Sequence, residues 1–289
     1  MAAHDTSTQR TERFRQLYNA DMTALDSQST TAQLVTIVDD MVLGDQTPKA
    51  AAEHAAQLIL VENEPEKPYV SLLAIPHHAA LHTEDESVLK KLVDFMTALA
   101  NLPDAINESS QPKTATTYNP EVKSGILRFQ PGEAIVFENG ALWRDLPNWS
   151  MMITESHQGP EQWLVKHRGQ DDEATATQKW KTFNTYLAFF VASPEARATL
   201  ALSNLSWLGL KTVAMILESS GDAWNFHEEL WTPAGKVWMR VAGEELAKVC
   251  AKGDQKHRPG ELWQAEGGGD ACDEQRFEFW KQRMAEKGW

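Results

Sequence analysis

The chain has 289 residues, 42% of them hydrophobic and 24% charged, with a formal net charge of −14 at pH 7. That apolar content suffices for a full core and excludes a disordered chain. The acidic excess speaks against nucleic acid as a partner, because phosphate backbones are met by a basic footprint. Cys250 and Cys272 are the only cysteines and lack a Cys-x-x-Cys spacing, so neither a disulfide framework nor a zinc knuckle is expected.

The opening Met1-Ala2-Ala3-His4-Asp5 is polar and has no signal-peptide core. Leu34, Ile37, Val38, Met41 and Val42 then repeat at helical spacing before Gly44. Thr47-Pro48 reads as a capped helix start, a hydroxyl followed by a proline that needs no backbone donor. His77, His78 and His82 lie between Pro76 and Thr83, which predict a helix end and a new start rather than a metal face. From Thr83-Glu84-Asp85-Glu86, a capping-box spacing, Val88, Leu89, Leu92, Val93, Phe95, Met96 and Leu99 form one stripe up to Asn101 and Pro103. Residues 107–125 are rich in Ser, Thr, Pro and Asn and read as a long surface loop. Two β-favouring runs, 126–129 and 134–137, flank Gln130-Pro131-Gly132-Glu133 and suggest a hairpin near residues 126–137.

After a polar loop over 168–177, Trp180, Phe183, Leu187, Ala188 and Val191 share a face. Residues 194–218 are apolar on nearly all sides, predicting the most buried helix, opened by Ser193-Pro194. Thr232-Pro233 opens a stripe of Trp238, Val241, Ala242, Leu246 and Val249, which ends before Gly253. Gly267-Gly268-Gly269 reads as a flexible connector, and Phe277, Trp280 and Met284 give the last helix its buried edge. No apolar stretch reaches the roughly 20 residues of a membrane span, so the expected location is the cytoplasm. The expected fold is all-α, a multi-helix bundle with one short hairpin. The absence of an internal repeat suggests a single composite domain over 1–289.

Chemistry-bearing motifs are mostly missing. There is no dinucleotide fingerprint, Walker loop or nucleophile elbow. His227-Glu228-Glu229-Leu230-Trp231 starts like a zinc-protease helix but has Trp231 where the second imidazole belongs. Asp39, Asp40 and Asp45 resemble the magnesium motif of terpene cyclases only poorly and read as an acidic helix end. Neither a metal nor an organic cofactor is expected.

Asn184 falls on the apolar face shared by Trp180 and Val191, so it is expected to be buried, either tying two helices together or orienting a ligand. All eleven tryptophans lie at or after residue 143. Most suit an aromatic core, and an aromatic-lined cavity suits a flat apolar ligand. Trp180, Trp207 and Trp238 are expected to share one core.

Several runs resemble a known family: Leu142-Trp143-Arg144-Asp145-Leu146-Pro147, the helix from Trp180 to Ala188, Trp238 with Ala242-Gly243-Glu244, Gly260-Glu261-Leu262-Trp263, and the segment from Arg276 to Arg283. They are similar to signatures of the fungal domain-of-unknown-function family thirty-six thirty-two, most strongly over residues 140–289. Phe183 and Phe277 depart from its pattern, where Leu and Trp are expected. The resemblance implies a largely helical, cytosolic fungal protein in the company of specialised metabolism.

Two functions follow as expectations. One is a cofactor-independent enzyme that cyclises, isomerises or eliminates from an apolar intermediate. Asp145, Asn184 and His227 would be its catalytic groups, and Trp143, Trp180, Trp207 and Trp238 its substrate-binding wall. The other is a helical protein-interaction or ligand-binding module without catalysis. A cavity favours the first, and a filled core with an exposed apolar face favours the second.

Overall fold

The computed structural model describes residues 28–119, 121–166, 172–220 and 227–289. The opening run Met1–Asp5, residues 168–171 of the polar loop and Trp224 lie outside the described residues, as does the side chain of Trp163. Among the described residues the protein is mainly helical, with twelve helices and two small two-stranded sheets. It falls into two compact units, Met1–Thr154 with Thr199–Leu202, and Glu155–Ala198 with Ser203–Trp289.

The first unit begins with four helices, α1 (Thr30–Leu43), α2 (Pro48–Val61), α3 (Glu66–Leu81) and α4 (Glu86–Ala100). Ser29 and Thr47 cap α1 and α2, their hydroxyls accepting from Ala32 N and Ala50 N, and Gly44 ends α1 at φ 95°. Ala51, Ala52, Ala55 and Ala56 are all buried, and these small side chains let α2 lie close to α1 and α4. Two expectations need correction here. The chain does not stop at Pro76: α3 runs through it to Leu81, forgoing the one bond its missing N–H would give. The cap of α4 is Asp85 rather than Thr83, whose hydroxyl instead accepts from Asp85 N.

The hairpin is also corrected. The Pro131-Gly132 turn forms, with Glu133 N donating to Gln130 O at 3.0 Å and Gly132 at φ 82°. Its two arms, however, take other partners. Strand β2 (Ile126–Phe129) pairs antiparallel with β1 (Lys113–Thr116), while Ala134 bridges Ile106. A short β3 (Val136–Phe137) pairs with β4 (Gly140–Ala141). The organiser is Asn107, wholly buried, whose amide donates to Phe129 O at 2.8 Å and Gln111 O at 2.9 Å. The stretch expected as a surface loop therefore contributes strand β1, while 117–119 and 121–125 form a largely exposed connection to β2. Helix α5 (Trp149–Ser156) follows.

The second unit contains α6 (Pro160–Lys166), α7 (Glu173–Ala192), α8 (Pro194–Arg197), α9 (Ser206–Leu217), α10 (Glu228–Lys252), α11 (Glu261–Ala265) and α12 (Glu274–Glu286). Helix α7 packs along α10, with α9 against both. Every residue from 182 to 191 of α7 is buried, so α7 is the central helix. The segment 194–218 is not one helix. It breaks after Arg197, exposes Leu200, and restarts at Ser206 past Ser203-Asn204, residues that favour turns. Helix α10 starts five residues before Pro233 rather than at it, and its N-terminus is met by Glu161, which accepts from His227 N.

Glu218, at the end of α9, fastens the C-terminal elements. Its carboxylate accepts from Arg276 Nε at 2.6 Å, Arg276 Nη2 at 2.8 Å, Trp280 Nε1 at 2.6 Å and Gly260 N at 2.7 Å. Both charged groups are fully buried, and the remaining guanidinium donors reach backbone carbonyls such as His257 O. The glycine run is more than a connector: a Cβ on Gly268 would come within 2.0 Å of the Trp263 ring, whose Nε1 donates to Gly269 O.

Candidate functional site

Helix α7 carries Trp180 and Asn184 one turn apart, and the close packing of α9 and α10 brings Thr212 and Trp238 onto them. The loop after α5 adds His157. Trp180, Asn184, Thr212 and Trp238 have no exposed surface, and His157 is 1% exposed. Asn184 Nδ2 donates to Trp180 O at 2.9 Å, which orients the amide so that Oδ1 accepts from Trp238 Nε1 at 2.7 Å. That oxygen also lies 3.1 Å from His157 Nε2. The imidazole proton therefore sits on Nε2, and the buried Nδ1 has no hydrogen-bond partner. Thr212 Oγ1 donates to Leu208 O at 2.9 Å and stands 3.3 Å from His157 Nε2. The His157 ring packs on Trp180 at 4.7 Å between centroids, and Trp180 meets Trp231 edge-on at 5.1 Å.

Burial, and secondarily the charge of Lys211, pushes the His157 pKa down to about 3, only partly opposed by the bond to Asn184. The imidazole is held neutral in a dry site. Both polar atoms of Asn184 are engaged by the protein itself, which is the chemistry of a rigid polar core tying α7, α9 and α10 together.

The rim of this core differs. On α9 nearly every residue from 208 to 217 is buried, and the half-exposed positions are Ser206, Trp207, Lys211 and Met215. The last three are spaced four apart and share one face. Lys211 Nζ donates to His157 O at 3.2 Å and has no carboxylate within ion-pairing distance among the described residues. Burial lowers its pKa from the ordinary lysine value. The face thus presents an indole, an amine bonded to a neutral carbonyl and a thioether.

The residues singled out in the sequence fall in different places. Asn184, Trp180 and Trp238 come together. Trp207 is only half-buried and stands on the α9 face, not in a core shared with Trp180 and Trp238. His227 is exposed at the start of α10, its ring 3.5 Å from Glu229. Trp143 and Asp145 belong to the first unit. There Asp145 Oδ2 accepts from Ala141 N at 2.7 Å, and Trp143 is buried edge-on against Tyr69, whose hydroxyl donates to Pro147 O. His157, Thr212 and Lys211 are missed by sequence reasoning. No motif marks them, although Trp207 and Lys211 are legible as an i, i+4 pair.

Elsewhere, His77 is buried and its pKa is pushed down to about 3 by burial and by neighbouring His78 and His82. His82 Nδ1 is engaged with His78 O. Among the described residues no three His, Cys, Asp or Glu side chains are gathered to hold a metal ion. A first-unit cleft of about 430 Å3 is lined by Ser29, Thr30, Glu62, Glu64, Lys67 and neighbours. These largely bond one another, as in Thr30 to Glu62 and Lys67 to Glu64. No helix of the described residues is long and apolar enough to cross a membrane.

Fold and site define the class: a mainly helical protein in which Trp238 and Trp280 are anchored by the buried Asn184 and Glu218. A family model described as "Protein of unknown function (DUF3632)" matches residues 74–284, and the chain belongs to that family. No curated protein and no solved structure matches it.

Proposed function

We propose that the protein is a helical small-molecule-binding module that meets its ligand on the Trp207–Lys211–Met215 face of α9. The observation that carries this is Lys211, a half-buried ammonium with no carboxylate counter-ion among the described residues, one turn from the half-buried indole of Trp207. Such a pair suits an apolar body carrying a carboxylate or carbonyl head. The filled core beneath supports binding over a catalytic cavity: Asn184, Trp180 and Trp238 satisfy or pack against one another. The net charge of −14 supports a partner other than nucleic acid. An intracellular role in fungal specialised metabolism belongs to the same proposal and rests on family resemblance alone.

A second reading, cofactor-independent catalysis of an isomerisation, elimination or ring closure, is favoured by the same desolvated amine. Calorimetric titration with 2-naphthoate, an aromatic carboxylate, tests the binding face. Saturable binding that is lost in Lys211→Met and weakened in Trp207→Ala, with both variants melting near the parent, is the expected result. Equal binding by parent and Lys211→Met would remove the α9 face from consideration.

A further inference from the structure

We propose that Lys211 is a carbonyl-reactive amine, condensing with an aldehyde or ketone laid along the Trp207–Lys211–Met215 face to form an iminium ion. The inference rests on the binding face proposed above and adds covalent chemistry to it. Three features of the geometry carry it. The amine is reachable, on the half-exposed stripe of an otherwise buried helix. It is held in place by a neutral carbonyl, His157 O at 3.2 Å, rather than by a carboxylate that would keep it protonated. An aromatic wall one turn away, Trp207, places an apolar carbonyl compound beside it.

Five other described lysines lack this combination. Lys49, Lys67, Lys248 and Lys281 each pair with a carboxylate, Glu53, Glu64, Glu245 and Glu278. Lys113 is also desolvated, but it is 2% exposed and its Nζ is turned onto Glu62 O. The titratable groups that act on or respond to Lys211 are His157, from the loop before α6, and His257, from the α10–α11 connection. Burial holds both imidazoles neutral near pH 7, so neither places a charge beside the amine. Desolvation favours the free amine, which is the nucleophile.

The step balances without a cofactor. The ammonium gives a proton to bulk water, and the free amine attacks the carbonyl carbon to form a C–N bond. The carbinolamine oxygen then takes up protons and leaves as water. Overall, one ammonium and one carbonyl give one iminium and one water, with nothing oxidised or reduced. An iminium is an electron sink that acidifies the adjacent carbon, which is the requirement of a cofactor-free isomerisation or elimination.

The test labels the full chain near neutral pH with a limiting amount of 2-naphthaldehyde plus cyanoborohydride, and peptide mass spectrometry reads the labelled fraction at each lysine. Lys211 is expected to react several-fold faster than Lys49 and Lys281, because desolvation leaves more of it as the free amine. Its rate is also expected to level off at a lower pH than theirs. Labelling of Lys211 no faster than those two overturns the inference. The naphthoate titration separates the two claims. Naphthoate binding that depends on Lys211, with unselective labelling, leaves the binding face standing and removes the imine chemistry. Selective labelling supports the inference whatever the affinity for naphthoate. The readout is taken on the unmodified chain, so it does not depend on any variant folding.

Discussion

At the residue scale, Asn184 and His157 have consequences that separate scaffold from site. Asn184→Ala strands the N–H groups of Trp238 and His157 in a dry core, at a cost of roughly 1–3 kcal/mol for each group left unsatisfied. Its melting temperature should therefore fall by several degrees while affinity for naphthoate is kept. A variant that melts like the parent would show that the amide carries little of the core. The titration of His157 has a definite sign. A pKa of about 3 in the folded chain, against 6.5 for the free side chain, means that the unfolded chain binds the extra proton between these values. Stability from this group is fully present above pH 6.5 and is lost as pH falls toward 3, at about 1.4 kcal/mol per pH unit through the middle of that window. His77 acts in the same direction over the same window. Urea denaturation at stepped pH should show this slope, and His157→Gln should flatten part of it. An unchanged slope in the variant would place the acid sensitivity elsewhere.

At the scale of elements, α9 is held by two contacts that its own sequence does not advertise. Gly209 lies under the Trp238 ring, where a Cβ would come within 2.6 Å of the indole. Gly209→Ala should therefore destabilise by about 1–3 kcal/mol through overpacking, although alanine is the better helix former by ~1 kcal/mol. A stabilised variant in thermal melts would mean that α9 and α10 are looser than described. At the other end, Glu218→Ala leaves Arg276 buried without its counter-charge, a loss of about 3–5 kcal/mol. Limited proteolysis should cut first between α10 and α12 in that variant. The tryptophans divide by element too. Trp238→Ala should cost about 3–5 kcal/mol as a core truncation. Trp207→Ala should cost well under that, because its ring leaves the α9 face half in water.

At the scale of the whole molecule, a net charge of −14 predicts self-repulsion that salt screens. The melting temperature should rise when ionic strength is raised from a few millimolar into the physiological range, and a fall would contradict the charge argument. Excess EDTA should leave the melting curve in place, since no complete ligand set is legible in the sequence or gathered among the described residues. Loss of structure on chelation would return attention to His77, His78 and His82. The two compact units each assemble around their own apolar helices, and the anchored tryptophans of the second unit are held through Asn184, Glu161 and Glu218.

What the sequence determines by itself is local. Periodicity and capping place α1, α2 and α4, since a hydroxyl before a proline and an apolar stripe act within a few residues of one another. Asn184 is legible as buried because it shares a face with Trp180 and Val191. What only the tertiary structure decides is pairing and exposure. The arms of the Pro131-Gly132 turn have equal local claims as strands, and their partners, 113–116 and 105–107, are chosen by Asn107 from a distance along the chain. Pro76 and Pro233 look like helix boundaries because a missing donor is a local cost, yet tertiary packing outweighs one absent bond in each helix. The apolar run at 194–218 cannot show which of its faces meets α7 and α10, so Trp207 reads as core although it stands beside Lys211 at the rim. His157 carries no motif at all. Its burial, its neutral ring and its hold on Lys211 arise only when the loop before α6 is laid against α7 and α9.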